Sequence, residues 1–422
     1  MEMALDALEE GDRPFRPGTA RAALANDVFR RVFIGAFLSN VGSWMQNVVL
    51  GALAYDLTRS PTFVGVLLFA QLGPMLLFSV VGGLLADLVD RGRLLIVVAF
   101  TQGLLSLVLA WVARGEDPSK VAMVAVVFLI GVGQSVYGPT YGALLPTLVG
   151  RENLAGAISL NSAQMNGSRV IGPAIGAFLF ARWGAPWVFI LNAASYLIVI
   201  RSLMTVTLPQ PAPDTSGARG LRRLLGGVAV ARRDRVVGRC LATIFLYSLL
   251  SLPFIGQLPT LADRNLGIAA KSTSYGFLYA SFGIGALIGA LSIGTVLAGR
   301  ALDRVVRVGL VAFAVFLAAF ALIRWPLPAY PAVLLVGVAY FAVITSLSTV
   351  LQERLDDSNR GRVMALWGMG FGGTVPLGNL IAGPLIERTS ITAVVLGGAV
   401  IAVALAWFAD LHESGLAEPL PG

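Results

Sequence analysis

Twelve long apolar stretches, each bounded by charged residues or by glycine and proline, restrict what this chain can fold into. They cover about 32–55, 62–86, 94–113, 121–147, 155–181, 186–206, 238–261, 274–298, 306–324, 329–350, 362–386 and 391–409. A helix needs roughly 20 such residues to cross a bilayer core about 30 Å thick. Of the 422 residues, 56% are hydrophobic and only 13% charged, with a mean hydropathy of +0.79. Soluble domains carry about 25% charged residues to cover their surface, so lipid is the solvent that fits. The expected fold class is an all-α integral membrane protein with twelve transmembrane helices.

The stretches divide six and six. Residues 208–236 open with a Pro-rich linker and continue as a basic segment, LRRLLGGVAVARRDR, with the pattern of an amphipathic helix on a membrane surface. The expected organisation is a tail over 1–31, a six-helix bundle over 32–207, this linker, a second six-helix bundle over 237–410 and a tail over 411–422. Residues 1–31 mix acids and arginines and lack the apolar core of a signal peptide, so the first spanning helix is expected to act as a retained targeting signal. Counting alternate loops, 22 of the 31 basic residues fall on the side of the termini and 8 on the other, with Arg169 inside a stretch. The asymmetry predicts both termini in the cytoplasm. It also accounts for the +8 formal charge as a topology signal and an attraction to anionic lipid. No soluble basic domain remains to bind nucleic acid.

Several kinds of chemistry are excluded. Cys240 is the only cysteine and His412 the only histidine, which rules out an internal disulfide, a Cys/His metal site and a Ser-His-Asp or Cys-His catalytic set. The two lysines, Lys120 and Lys271, do not stand in a phosphate-binding glycine loop. No cofactor, metal or enzymatic activity is expected.

The strongest motif follows the second stretch: Gly83-Leu-Leu-Ala-Asp87-Leu-Val-Asp90-Arg91-Gly92-Arg93. Gly83 allows a close helix contact, and Asp87, Asp90, Arg91 and Arg93 form a charge cluster able to latch one mouth of a transport path. The alternative is an ordinary loop with topology-setting arginines. A degenerate copy, Gly299-Arg-Ala-Leu-Asp303-Arg304-Val-Val-Arg307, stands at the equivalent point of the second half and points to an internal repeat.

The first of these segments resembles the signature loop of the major facilitator superfamily, departing from it at Leu88 and at Asp90, which adds a carboxylate. The run Pro139–Pro146 with Asn153-Leu154 resembles the enterobactin-exporter and macrolide-efflux branch of that superfamily. So does Leu351-Gln352-Glu353-Arg354 with Arg360-Gly361-Arg362-Val363. The likeness covers about residues 30–410. It implies a two-bundle fold with a central cavity, alternating access, proton exchange as the coupling, and Arg360 and Arg362 among the gating groups.

The fifth stretch carries Gly167, Arg169, Gly172, Pro173 and Gly176, and resembles the glycine-proline motif of the superfamily's antiporters. It reads either as a pivot between bundles or as a packing helix. Arg169 lies midway along it, where a charge must face protein or water; Asn166 shares its face. It serves either solute binding or bracing. Polar stripes at helical spacing occur on the first stretch (Asn40, Ser43, Asn47, with Trp44), the fourth (Gln134, Tyr137, Tyr141) and the seventh (Thr243, Tyr247, Ser251, Phe254). The resemblance places the first, fourth, seventh and tenth helices around the cavity. The alternative is interhelical hydrogen bonding alone.

The expected function is export of a small amphipathic molecule (drug, siderophore or metabolite) by a monomeric secondary transporter of the inner membrane, working as a proton antiporter. Uptake or uniport by the same fold, or a non-transporting receptor or assembly protein, are the alternatives. The near-membrane acids Asp87, Asp303 and Glu353 sit at helix ends, so the proton carrier is not evident in the sequence.

Overall fold

Lipid offers the backbone no hydrogen-bond partners, so a spanning segment has to satisfy its own N–H and C=O groups, and a helix does so. The computed structural model describes residues 16–206 and 221–411, and all regular structure in them is helical. The tail residues before 16 and after 411, His412 included, and linker residues 207–220 lie outside the described residues. Ten helical runs are long and apolar enough to cross a membrane. Two further helices, Asp27–Thr58 and Leu154–Trp183, have 32 and 30 residues, which is enough length, but Asn40, Gln46 and Asn47 in one and Gln164, Asn166 and Arg169 in the other dilute their apolar character.

The main helices are α1 (Asp27–Thr58), α2 (Pro61–Leu72), α3 (Pro74–Leu88), α4 (Arg91–Val112), α5 (Lys120–Leu148), α6 (Leu154–Trp183), α7 (Ala185–Met204), α8 (Leu221–Arg233), α9 (Arg235–Leu246), α10 (Leu258–Leu266), α11 (Thr273–Gly294), α12 (Leu302–Leu322), α13 (Pro326–Arg354), α14 (Asp357–Gly368), α15 (Thr374–Arg388) and α16 (Ile391–Phe408). Their starts are set locally. Ser60, Asp90, Ser119, Ser272 and Ser390 each accept the backbone N–H three residues on.

Three of the expected continuous stretches are interrupted. The second breaks at Gly73, because Pro74 has no N–H to continue the ladder. In the seventh, Pro253 has the same effect; the chain widens to a π-turn over Tyr247–Ser251, where Leu252 N–H reaches back to the Tyr247 carbonyl at 3.2 Å. In the eleventh, a glycine-rich π-turn over Met369–Gly373 separates α14 from α15.

Packing divides the chain into two units. The first takes residues 16–50 and 77–206; α4 packs along both α5 and α7. The second takes residues 51–76 and 221–411, so the end of α1 and all of α2 belong with the later helices, and α2 lies along α15. The basic segment forms α8 and packs on α14.

The tightest seam is between α11 and α13. A Cβ placed on Gly289 would stand 3.0 Å from the Val338 Cα, and one on Gly337 would stand 2.9 Å from the Ala286 backbone nitrogen. Main chain therefore meets main chain, the arrangement that yields the most dispersion energy where lipid supplies no hydrophobic drive. Gly337→Leu is expected to destabilise the protein by about 1–3 kcal/mol through overpacking, seen as a lower melting temperature in detergent. Gly397→Leu, at a position with nothing within 4 Å of an added Cβ, should leave it unchanged.

Candidate functional site

In the first unit the polar groups converge on α7. Tyr196 OH lies 3.2 Å from Ser43 Oγ of α1 and accepts from Gln134 Nε2 of α5 at 3.3 Å. One turn away, Asn192 Nδ2 donates to Gln46 Oε1 at 2.9 Å and Ser195 Oγ donates to the Asn192 carbonyl at 2.7 Å. Two of the expected residues, Ser43 and Gln134, thus meet at a tyrosine that the stripes of the first and fourth stretches did not include. Asn192, Ser195 and Tyr196 lie at helical spacing in an apolar run, which is the signal that marks them. On α1 the buried amide is Gln46, at 2% exposure; Asn40 and Asn47 are half-buried.

A second cluster faces the aromatic side of α1. The Arg169 guanidinium of α6 sits 5.3 Å from the Trp44 ring centroid, a cation over a π face. Tyr137 and Tyr141 on α5 stack with centroids 6.1 Å apart and planes 6° apart. Asn166 turns its Nδ2 back to the Ser162 carbonyl of its own helix. Of the expected pivot residues, Gly172 and Gly176 let α6 press against Trp44 and Met45 of α1, Pro173 is buried inside α6, and Gly167 has no such close contact.

In the second unit Tyr247 is fully buried, edge-on to Phe313 at 5.0 Å and 6.3 Å from Tyr340, inside an aromatic core that also takes in Phe254 and Phe282. Ser251 Oγ donates to the Gly398 carbonyl at 2.8 Å.

Not all buried polar atoms are satisfied. Among the described residues, the side chains of Gln164 and Ser168 on α6, Thr243, Tyr247 and Ser248 around the α9 π-turn, and Ser346 on α13 have no hydrogen-bond partner. All six are at most 2% exposed. Each such group costs about 1–3 kcal/mol relative to a satisfied one, so this set is an unusual expense in a helical interior.

The charge clusters take two forms. Asp90 caps α4, accepting Arg93 N–H at 2.7 Å, and Arg91 Nη1 donates to the Ala143 carbonyl at 2.9 Å; Arg93 is exposed. Gly83 and Asp87 fall outside the residues whose side chains are described. In the second copy Arg307 stands 3.9 Å from Asp303 and 3.8 Å from Asp410, which also takes Arg239. Arg304 is exposed and outside this chain of pairs. Arg360 Nη2 donates to the Leu355 carbonyl, and the Arg362 main chain lies against Gly227 of α8.

A third cluster, at the α1–α2 turn, has no counterpart in the sequence motifs. Arg59 ends α1 with φ +50°, a left-handed conformation that costs a residue with a Cβ about 1–2 kcal/mol. Its Nη1 donates to Asp263 Oδ1 of α10 at 2.8 Å, and Tyr55 OH donates to the other carboxylate oxygen at 3.0 Å. Asp263 raises the Arg59 guanidinium further above its ordinary range. Next to it Ser60 Oγ donates to Glu387 of α15 at 2.5 Å, and Gln257 Nε2 donates to the Pro61 carbonyl at 3.0 Å. The partners lie roughly 200 to 330 positions apart in sequence, so no local pattern announces them.

Known proteins are similar to this chain along most of its length. Residues 18–416 match the family model described as a transmembrane secretion effector. The chain is 31% identical over 349 residues to the enterobactin exporter EntS of Escherichia coli O1:K1 / APEC, covering 80% of each. It is 30% identical over 349 residues to that of Shigella boydii serotype 4, again covering 80% of each. Among solved structures, the nucleoside transporter NupG superposes with a TM-score of 0.65 at 18% identity, over 91% of this chain and 99% of that one. A bacterial homologue of the iron transporter ferroportin, in an inward-facing state, gives 0.70 at 16%, over 91% and 98%. With its helical membrane fold and a match to nearly its full length, this chain belongs to the transmembrane secretion effector family of major facilitator transporters.

Proposed function

We propose that the chain exports a small amphipathic solute across the inner membrane by alternating access, in exchange for protons, with all twelve stretches spanning as two six-helix bundles and both termini in the cytoplasm. The observation that carries this reading is the set of orphaned buried polar groups, Gln164 and Ser168 in one unit and Thr243, Tyr247, Ser248 and Ser346 in the other. Such groups are costly in a static membrane protein and useful in one whose interior admits a solute, since a visiting hydroxyl or carboxylate supplies the missing partners. Arg169 over Trp44 and the stacked Tyr137–Tyr141 pair add a cation and flat π faces, a combination suited to an aromatic solute with anionic or phenolic oxygens. The direction, outward, is that of the enterobactin exporters to which the chain is similar.

Alternation needs a mouth that closes weakly enough to reopen. The segment 51–76 is continuous with the first six stretches yet packs in the second unit, and the Tyr55–Arg59–Asp263 and Ser60–Glu387 contacts fasten it there. On the arginine count this is the outer mouth. Arg59 is 57% exposed and Asp263 28%, so the pair contributes about 1 kcal/mol or less, within the few kcal/mol that separate interconverting states. Among the described residues no Asp or Glu is buried. Asp263 is the carboxylate on which this latch depends, since it takes both Arg59 and Tyr55.

Three outcomes check this reading. Inverted vesicles with an imposed pH gradient should accumulate a catechol-bearing or similar aromatic dye, and a protonophore should collapse the accumulation; transport indifferent to the gradient would remove the proton from the scheme. Gln164→Leu should keep or raise the melting temperature, because it deletes an unpaired amide, while lowering transport about tenfold; unchanged transport would make Gln164 a bystander. Asp263→Asn should speed amide hydrogen exchange across 51–76 about fivefold, the effect of roughly 1 kcal/mol, and leave α11–α13 unaffected.

A further inference from the structure

Between α11, α12 and α13 runs an apolar groove of about 500 Å³, walled by Leu297, Val305, Val308, Ala312, Phe316 and Val338. Along α12 it extends from Arg304 to Phe316, about 18 Å at 1.5 Å per residue, close to the depth of one leaflet of a core about 30 Å thick. It is lined almost wholly by carbon except at one end, where Arg300 and Arg304 enter the lining. Both arginines are exposed, and among the described residues neither guanidinium meets a carboxylate or other acceptor. Asp303 and Asp410 face Arg307 instead, and Asp410 also takes Arg239. A neighbouring hollow of about 1,020 Å³ shares Leu297, Arg300 and Ala301 with the groove and carries Glu353 and Arg354, the latter held by Asp234 at 2.7 Å.

We infer that this groove binds an anionic phospholipid, with one acyl chain along α12 and the phosphate between Arg300 and Arg304. The chemistry is complementary at both ends. A leaflet-deep apolar channel takes a chain and excludes soluble anions from its length, while two arginines without acidic partners at its mouth favour a net negative headgroup over a zwitterionic one. Each cation near a membrane surface strengthens attraction to anionic lipid about fivefold. The end with Arg300 and Arg304 carries the same excess of arginine as the termini, so the site faces the leaflet that this charge bias selects. Neither arginine joins the polar clusters assigned to solute or to the α1–α2 latch, so the lipid site stands independently of the transport reading.

The test is lipid retention by the full-length purified protein in mild detergent, read by native mass spectrometry while dioleoyl-phosphatidylglycerol or dioleoyl-phosphatidylcholine is titrated in. One phosphatidylglycerol should be held at least tenfold more tightly than phosphatidylcholine. Arg300→Gln with Arg304→Gln should reduce that preference to about twofold or less without shifting the melting temperature of lipid-free protein. Ala312→Phe, which fills the groove and spares both arginines, should weaken both lipids. Equal retention of the two lipids by the unaltered protein would overturn the site, as would an undiminished preference in the double variant. Displacement by millimolar inorganic phosphate together with indifference to Ala312→Phe would likewise overturn it, by showing an anion contact that needs no acyl chain.

Discussion

Helices in lipid gain almost nothing from hiding apolar side chains from one another, because the acyl chains are equally apolar, and this absence of a hydrophobic drive shapes the rest of the structure. What remains is close contact and hydrogen bonding. The α11–α13 seam uses the first, with Gly289 and Gly337 bringing main chain to main chain, and Gly172 and Gly176 do the same for α6 on α1. The first unit adds the second kind of cohesion through the amide and hydroxyl groups that meet at Asn192 and Tyr196. The second unit fills the same need with edge-on and tilted aromatics around Tyr247, Phe313 and Tyr340.

Strong and weak contacts are unevenly distributed. The α11–α13 and α6–α1 seams, where glycine meets main chain, cannot slide without overlap. The clusters at helix ends are half-exposed ion pairs whose separate contributions are small. Rigid rods with weakly fastened ends can exchange two arrangements without losing their internal packing. The π-turns at Tyr247–Ser251 and Met369–Gly373 touch one another, and a wide turn accommodates a change of helix direction at low cost because its carbonyls are already off the regular ladder.

Much of this architecture was legible in the sequence. Apolar length alone marked the helices, since crossing a bilayer sets a minimum of about 20 residues, and the signature loop with its degenerate copy brought the major facilitator resemblance with it. Proline and glycine placed at Pro74, Pro253 and Gly370–Gly373 carried the information for the interruptions, but an apolar count does not register them. The polar interior was less legible. Periodicity marked Ser43 and Gln134 but selected Asn47 over the buried Gln46, because neighbouring polar residues on a helix differ by only about 100° in direction. Asp263 and Arg59 are 204 positions apart, and nothing local tells a loop arginine which carboxylate it will meet. Asp410 and Arg239, which complete the chain of pairs around Arg307, were hidden for the same reason.

The exposed position of the Arg59–Asp263 pair has a further consequence. Electrostatic attraction at a wet surface decays over a Debye length, about 8 Å at physiological ionic strength and about 3 Å at 1 M. A contact fastened by such charges is tuned by the medium that bathes it: low salt tightens it and high salt slackens it. The hold of the second unit on residues 51–76 is then partly a property of the surrounding salt, a setting that no residue of the chain fixes.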